Sequence, residues 1–195
     1  NKFLVSKDTL IPRVETELLI KTCQNLVNKN SKVLDIGCGT GIISIMLNKL
    51  TNCNVDSCDI SSEALKIAKA NSQNLNTNVK FFKSDLFENI QDKYDLIVSN
   101  PPYIPIKEME KLQKEVKDFE PHQALFANDE QGIDFYKKII QNSQKFLNKS
   151  GFLAFEIGIN QSILVEDLFL SNNFQNVKIY KDLNNIERVI TAQKL

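Results

Sequence analysis

Net charge is the first thing this 195-residue chain lacks, since 24 basic side chains balance 24 acidic ones. Nucleic acid is held by a basic field, so a neutral chain argues against one that grips phosphate backbones by itself. Histidine is almost absent, with His122 alone. The four cysteines, Cys23, Cys38, Cys53 and Cys58, stand 15, 15 and 5 residues apart. No pair has the spacing of a zinc knuckle, so free thiols are expected and no metal. No apolar run approaches the ~20 residues that cross a bilayer, and no signal-peptide pattern opens the chain. A cytoplasmic globular chain is the expectation, long enough for one well-buried domain and short for two. Its first residue is Asn1 and strand-like residues follow at once, as in a domain cut from a longer protein.

Taken in order, Lys2 to Ser6 and Thr9 to Ile11 flank Lys7-Asp8 as a short hairpin that Pro12 stops. Residues 1–14 are therefore read as a hairpin or linker, and 15–195 as one domain. From Glu15 to about Asn28, Leu18, Leu19, Cys23, Leu26 and Val27 fall at helical spacing. Strand, glycine-rich turn and helix follow over Lys32 to Leu47. Further strands are expected at Asn54 to Asp59, Val79 to Phe82 and Tyr94 to Ser99, with a helix capped by Ser61 after the first of them. Residues 104–131 form a long polar connection, with a short helix around Glu108 to Val116. Loops of that length beside a site are commonly binding loops or lids. Helices over Gly132 to Leu147 and Gln161 to Leu170 bracket a strand at Gly151 to Ile157. Two last strands, near Val177 to Tyr180 and Glu187 to Ala192, can pair antiparallel. This alternation predicts an α/β fold: a doubly wound, mostly parallel seven-stranded sheet with an antiparallel C-terminal hairpin.

Such sheets bind ligands beyond the carboxyl ends of their strands. At that edge Asp95-Leu96-Ile97-Val98-Ser99 runs into Asn100-Pro101-Pro102-Tyr103. A strand cannot continue through two prolines, which lack an N–H and fix φ. The residue before a proline is also kept out of the helical region. The product is a rigid strand end presenting an Asn side chain, unpaired carbonyls and an aromatic ring, suited to a small planar amide or amine. The turn Asp35-Ile36-Gly37-Cys38-Gly39-Thr40-Gly41 has glycines at alternate positions, unlike the dinucleotide pattern G-x-G-x-x-G, and no Gly-Lys-Ser/Thr follows as in a phosphate loop. It lets backbone approach an adenosyl group. Asp59 can accept hydrogen bonds from a ribose diol, and Asp85, beside Leu86, can meet an adenine amino group.

Val33 to Gly41 resembles motif I of the class I S-adenosylmethionine-dependent methyltransferases, which share a Rossmann-like fold. Asn100-Pro101-Pro102-Tyr103 resembles the motif of those that methylate planar nitrogens: glutamine side chains and the exocyclic amines of adenine and guanine. Thr9-Leu10-Ile11-Pro12-Arg13-Val14-Glu15-Thr16-Glu17 resembles the segment leading into the catalytic domain of the PrmC/HemK family. Those enzymes methylate the glutamine of the Gly-Gly-Gln loop in peptide-chain release factors. Glu120-Pro121, Gly132-Ile133-Asp134-Phe135-Tyr136, Glu156-Ile157-Gly158 and Lys181-Asp182-Leu183 also match in order. Departures are Val14 in place of a second proline, Asn128-Asp129 where glycines are common, and Asn184-Asn185-Ile186-Glu187. The family's N-terminal helical domain is not among these residues.

The resemblance implies S-adenosylmethionine contacts at Asp35, Ile36, Gly37, Cys38, Gly39, Gly41, Asp59, Ile60, Asp85, Leu86 and Asn100. It assigns the acceptor amide to the Asn100 side-chain oxygen and the Pro101 carbonyl, with Pro102 and Tyr103 as walls. The expected partner is a release factor met by a monomer, with no membrane and no direct nucleic-acid substrate; methylation of exocyclic amines in DNA or RNA is the alternative. Arg13 is left between substrate contact and pairing with an acid, and His122 is read as a loop residue.

Overall fold

In the computed structural model, which describes residues 1–195, helices and strands follow the apolar periodicity of the chain. They run α1 (Glu15–Gln24), β1 (Lys32–Ile36), α2 (Ile42–Thr51), β2 (Asn54–Asp59), α3 (Ser62–Asn74), β3 (Val79–Lys83), β4 (Tyr94–Ser99) and β5 (Ile104–Pro105). A 3-10 turn (Ile106–Lys111) leads to α4 (Lys114–Phe119), α5 (His122–Leu125) and β6 (Phe126–Ala127). Then come α6 (Asp134–Ser143), β7 (Leu147–Glu156), α7 (Ser162–Ser171), β8 (Phe174–Lys181) and β9 (Glu187–Lys194).

Seven strands form one sheet in the order β3-β2-β1-β4-β7-β9-β8. Pairing is parallel from β3 through β7, and β9 runs antiparallel to both of its neighbours. This is the expected α/β architecture, including its closing hairpin. β5 and β6 pair separately. The strand order reverses between β1 and β4, so the crevice of a doubly wound sheet lies over their carboxyl ends.

Side chains alternate across a strand, and β1 shows what that does. Leu34 and Ile36 join Ile97, Leu153 and Phe155 on one face, covered by Tyr136, Ile139 and Ile140 of α6 and Val165 and Phe169 of α7. Val33, with Leu96, Val98 and Ala154, faces Leu19 and Cys23 of α1 and Ile43 and Leu47 of α2. Burial on both faces explains the unbroken apolar run of β4. Asp35 is the exception on the α2 face. No helix is long and apolar enough to cross a membrane.

Two expectations are corrected. Residues 1–14 form no hairpin. The turn itself is there, with the Thr9 N–H donating to the Ser6 carbonyl at 3.2 Å, but its arms do not pair as strands. The Asn71 side chain in α3 accepts from the Leu4 N–H (2.7 Å) and donates to the Leu4 carbonyl (3.0 Å), as a second strand would. The Ile11 N–H goes instead to Glu120. Residues 104–131 hold a 3-10 turn and two short helices in place of one helix, with Pro105 and Pro121 immediately before the turn and the second helix.

Asn71 is 1% exposed and also donates to the Thr40 carbonyl at 2.9 Å. Asn71→Ala strands these backbone groups, so a loss of about 1–3 kcal/mol is expected in urea unfolding. Hydrogen exchange at Leu4 should quicken in the same variant while the β1 and β4 amides keep their protection.

Candidate active site

The crevice is built from four strand ends. After β1, the Gly37 and Cys38 N–H groups both donate to the Cys58 carbonyl, at 2.9 and 3.1 Å, which sews the glycine turn to β2. Gly37 and Gly39 have φ of +73° and +52°, and a Cβ on either would meet nothing within 4 Å. That is left-handed backbone lying bare against open space, which a ligand can approach closely. After β2, Asp59 braces the turn: one oxygen accepts from the Gly39 N–H and the other from the Ser61 N–H, both at 2.9 Å. Each oxygen keeps further acceptor capacity. Burial raises the Asp59 carboxyl, and its backbone donors draw it back in part.

Asp35 lies deeper, fully buried beneath the turn. Its Oδ2 accepts from the Ser44 N–H (3.2 Å) and the Ser57 hydroxyl (3.4 Å), while its Oδ1 has no partner at all. Burial pushes its carboxyl up to about 7, against the Ser44 hydrogen bonds and with help from the Asp59 charge. An orphaned carboxylate oxygen beside a second acid fits a cationic ligand. After β3, Asp85 is exposed and Leu86 adopts φ +44°, a strained conformation for a branched side chain. The Ser84 hydroxyl holds that turn by donating to the Leu86 carbonyl at 3.0 Å.

After β4 the polypeptide is clamped on several sides. The Ser99 hydroxyl donates to the Ile36 carbonyl at 2.7 Å. The Gln161 amide nitrogen donates to the carbonyls of Tyr103 (3.0 Å), Gln131 (2.9 Å) and Gly132 (3.2 Å). Its oxygen accepts from the Gly158 N–H at 2.9 Å and the Tyr136 hydroxyl at 3.3 Å. A Cβ at Gly132 would stand 2.1 Å from the Tyr103 carbonyl oxygen, so only glycine fits there. The Tyr103 hydroxyl lies 3.4 Å from Glu156, the buried end of β7. Burial and that carboxylate push the phenol well above its ordinary range.

A cleft of about 830 Å³ results. It brings together Ile36, Gly37, Cys38, Gly39, Asp59, Ile60, Asp85, Leu86, Asn100, Pro101 and Pro102, with Leu10 and Pro12 as further wall. Asp35 and Gly41 do not reach its surface. Asp35 stands behind the wall, and Gly41 packs against Ala68 so that α2 and α3 can meet. Tyr103 faces a second cavity of about 300 Å³, lined also by Leu10, Arg13, Leu112 and Leu125. Asn100 and Pro101 are common to both cavities.

Arg13 pairs with Glu120, which also accepts from Ile11, so the arginine binds the N-terminal segment to the 104–131 connection. His122 packs edge-on against Phe126 outside the cleft. All four cysteines are free and buried; burial pushes the Cys58 thiol up to about 12, out of the reactive range. Sequence reasoning read Gln161 only as a helix start, and it saw Gly132 and Glu156 only as parts of a family match. None carries a local signal, because each acts on a carbonyl or side chain far away in the chain.

The Asp35 shift gives stability a pH dependence. An unfolded Asp titrates near 3.9 and the folded one at about 7, so between those values the folded state holds a proton that the unfolded state has lost. Stability without ligand should fall as pH rises through that window and level off above it. Asp59 and Glu156, also raised, act with the same sign. Urea unfolding at a series of pH values should show this slope, and Asp35→Asn should flatten it. A stability that rises across the window would contradict the assignment.

Residues 13–118 match the family model described as the methyltransferase small domain. The chain is 43% identical over 198 residues to the release factor glutamine methyltransferase of Fusobacterium nucleatum, covering 98% of this chain and 56% of that protein. It is 43% identical to the enzyme of the same name from Francisella tularensis, covering 98% and 69%. The chain thus spans between about half and two thirds of these relatives. Among solved structures, the E. cuniculi Mtq2–Trm112 complex superposes with a TM-score of 0.69 at 20% identity, covering 96% of this chain and 99% of that one. Sheet order, strand-end motifs and relatives agree: the chain belongs to the release factor glutamine methyltransferase family, with its Rossmann-like methyltransferase fold.

Proposed function

We propose that this domain transfers a methyl group from S-adenosylmethionine to the side-chain amide nitrogen of the glutamine in the Gly-Gly-Gln loop of a release factor. One observation carries the reading: Asn100 and Pro101 stand between two cavities and line both. A ligand in the larger cleft and a side chain entering through the smaller would meet at these residues. The names of the relatives support the same acceptor.

The larger cleft suits the methyl donor. The bare backbone of Gly37 and Gly39 admits a close approach, Asp59 keeps acceptor capacity for a ribose diol, and Leu86 offers an apolar wall to adenine with Asp85 beside it. The unpartnered Asp35 oxygen and the Asp59 charge give the floor a negative potential. When bound, S-adenosylmethionine supplies an electrophilic methyl group on a positively charged sulfur.

The acceptor is the harder half of the chemistry. An amide nitrogen is a poor nucleophile because its lone pair is delocalised into its carbonyl. Two acceptors in fixed positions orient the NH₂ group and favour the positive charge that develops on nitrogen as the new bond forms. The Asn100 side-chain oxygen and the Pro101 carbonyl can serve, since no protein N–H donates to the latter. The two prolines hold the main chain at both positions, so little backbone reorganisation is needed at reaction. Pro102 and Tyr103 wall the slot, and the nitrogen's surplus proton leaves after transfer.

The test offers labelled S-adenosylmethionine with a release factor, its Gly-Gly-Gln glutamine→Ala variant, DNA and RNA. Label is expected in the intact release factor alone. Asn100→Ala should lower the rate by about 10²–10³-fold, the scale of losing one preorganised hydrogen-bonding group, with cofactor binding retained. Label in nucleic acid but not in the release factor would overturn the reading.

A further inference from the structure

Glu156 is a buried carboxylate that the chemistry above does not use. It ends β7 one residue past Phe155, which pairs with Ser99, so it stands beside Asn100. It is 1% exposed, and a charge that deep persists only with donors around it. Thr16 donates to Oε2 at 2.7 Å and Tyr103 to Oε1 at 3.4 Å, and the Asn100 side chain, which the register sets beside the carboxylate, draws its titration down. Two of these three belong to the strand end that takes the acceptor; the third lines the main cleft. Of the charged groups around it, Glu15 in α1 repels the carboxylate and Arg188 in β9 attracts it; Arg188 is shared with Glu15 (3.8 Å) and Asp182 (3.4 Å). From α6, the Tyr136 hydroxyl meets the Glu156 backbone carbonyl at 3.0 Å.

An ionised carboxylate only accepts hydrogen bonds, whereas the two ends of an Asn amide differ in just this respect. Facing Glu156, the Asn100 amide must turn its NH₂ group inward and its oxygen outward. We infer that Glu156 is a positioning residue for methyl transfer, fixing the Asn100 oxygen toward the acceptor and setting a negative charge behind it. This rests on the reading of Asn100 as the group that holds the acceptor amide. The charge favours the cation developing on the acceptor nitrogen. Once protonated, Glu156 becomes a donor, favours the reversed Asn100 amide, and presents N–H groups to a nitrogen that must itself donate. Acid then switches the site off. Burial holds the Glu156 carboxyl above its ordinary range, and the Thr16 hydroxyl draws it back, which gives the glutamate-threonine-glutamate segment at 15–17 a task.

The test follows the Asn100 side-chain NH₂ resonance of the ¹⁵N-labelled chain against pH, with Asn100→Asp used for its assignment. In the unmodified chain it should move with one inflection above the ordinary glutamate value of about 4.3. Glu156→Gln should abolish that movement. Thr16→Val, which removes a donor but keeps Glu156, should carry the inflection to higher pH, and it decides the matter if Glu156→Gln does not fold. In transfer assays at saturating S-adenosylmethionine, kcat should fall on the acid side of the same inflection. Glu156→Gln should lower kcat roughly ten- to hundredfold, by analogy with the groups that orient metal ligands, without an acid limb and without a change in cofactor Kd. An Asn100 resonance that ignores pH, or titrates unaltered in Glu156→Gln or Thr16→Val, would overturn the inference. The resonance needs no acceptor, so a failure of the release-factor reading would show separately, as an unmodified chain that transfers no methyl group.

Discussion

The constraint on which the structure depends is that β4, a central strand, must stop at Pro101-Pro102. Neither residue can donate to a neighbouring strand, and neither can rotate freely about φ. The carbonyls and side chains of 100–103 therefore emerge at the edge of the sheet where β1 and β4 part company. Everything near that edge acts to hold them. Ser99 ties the strand to β1, Gln161 grips the Tyr103 carbonyl from the start of α7, and Gly132 leaves room for that grip. The apolar layers on both faces keep the strand itself from moving.

Charge is arranged to the same end. The chain has no net charge, yet three carboxylates with raised protonation tendency, Asp35, Asp59 and Glu156, stand at or one residue before the carboxyl ends of β1, β2 and β7. Burying acids is unfavourable without donors or a cation. Such a cluster is consistent with a positively charged methyl donor on one side and a nitrogen that gains positive charge on the other. It is equally a poor surface for phosphates, in keeping with the protein acceptor proposed above.

The legible part of the fold was written in short-range patterns. β1 with its glycine turn, β2 ending in Asp59 and β4 ending in the two prolines each announce themselves within ten residues, and each lies where the pattern implies. What was not legible depends on partners distant in the chain. The N-terminal arm reads as strand from its short apolar run, Phe3-Leu4-Val5, but its hydrogen-bonding partner is the Asn71 side chain rather than a second strand. Gln161 looks like any polar residue at a helix start, and Gly132 like any loop glycine, until Tyr103 is brought against both. Asp35 belongs to the expected motif, yet it braces the turn from beneath and leaves the cleft wall to its neighbours.

The most direct test of the account is a crystal structure of this chain with S-adenosylhomocysteine and a peptide carrying Gly-Gly-Gln. The glutamine amide nitrogen should lie at about 2.7–3.2 Å from both the Asn100 side-chain oxygen and the Pro101 carbonyl, with its free face toward the cofactor sulfur. A glutamine seated elsewhere, or an Asn100 amide turned with its nitrogen toward the peptide, would contradict it.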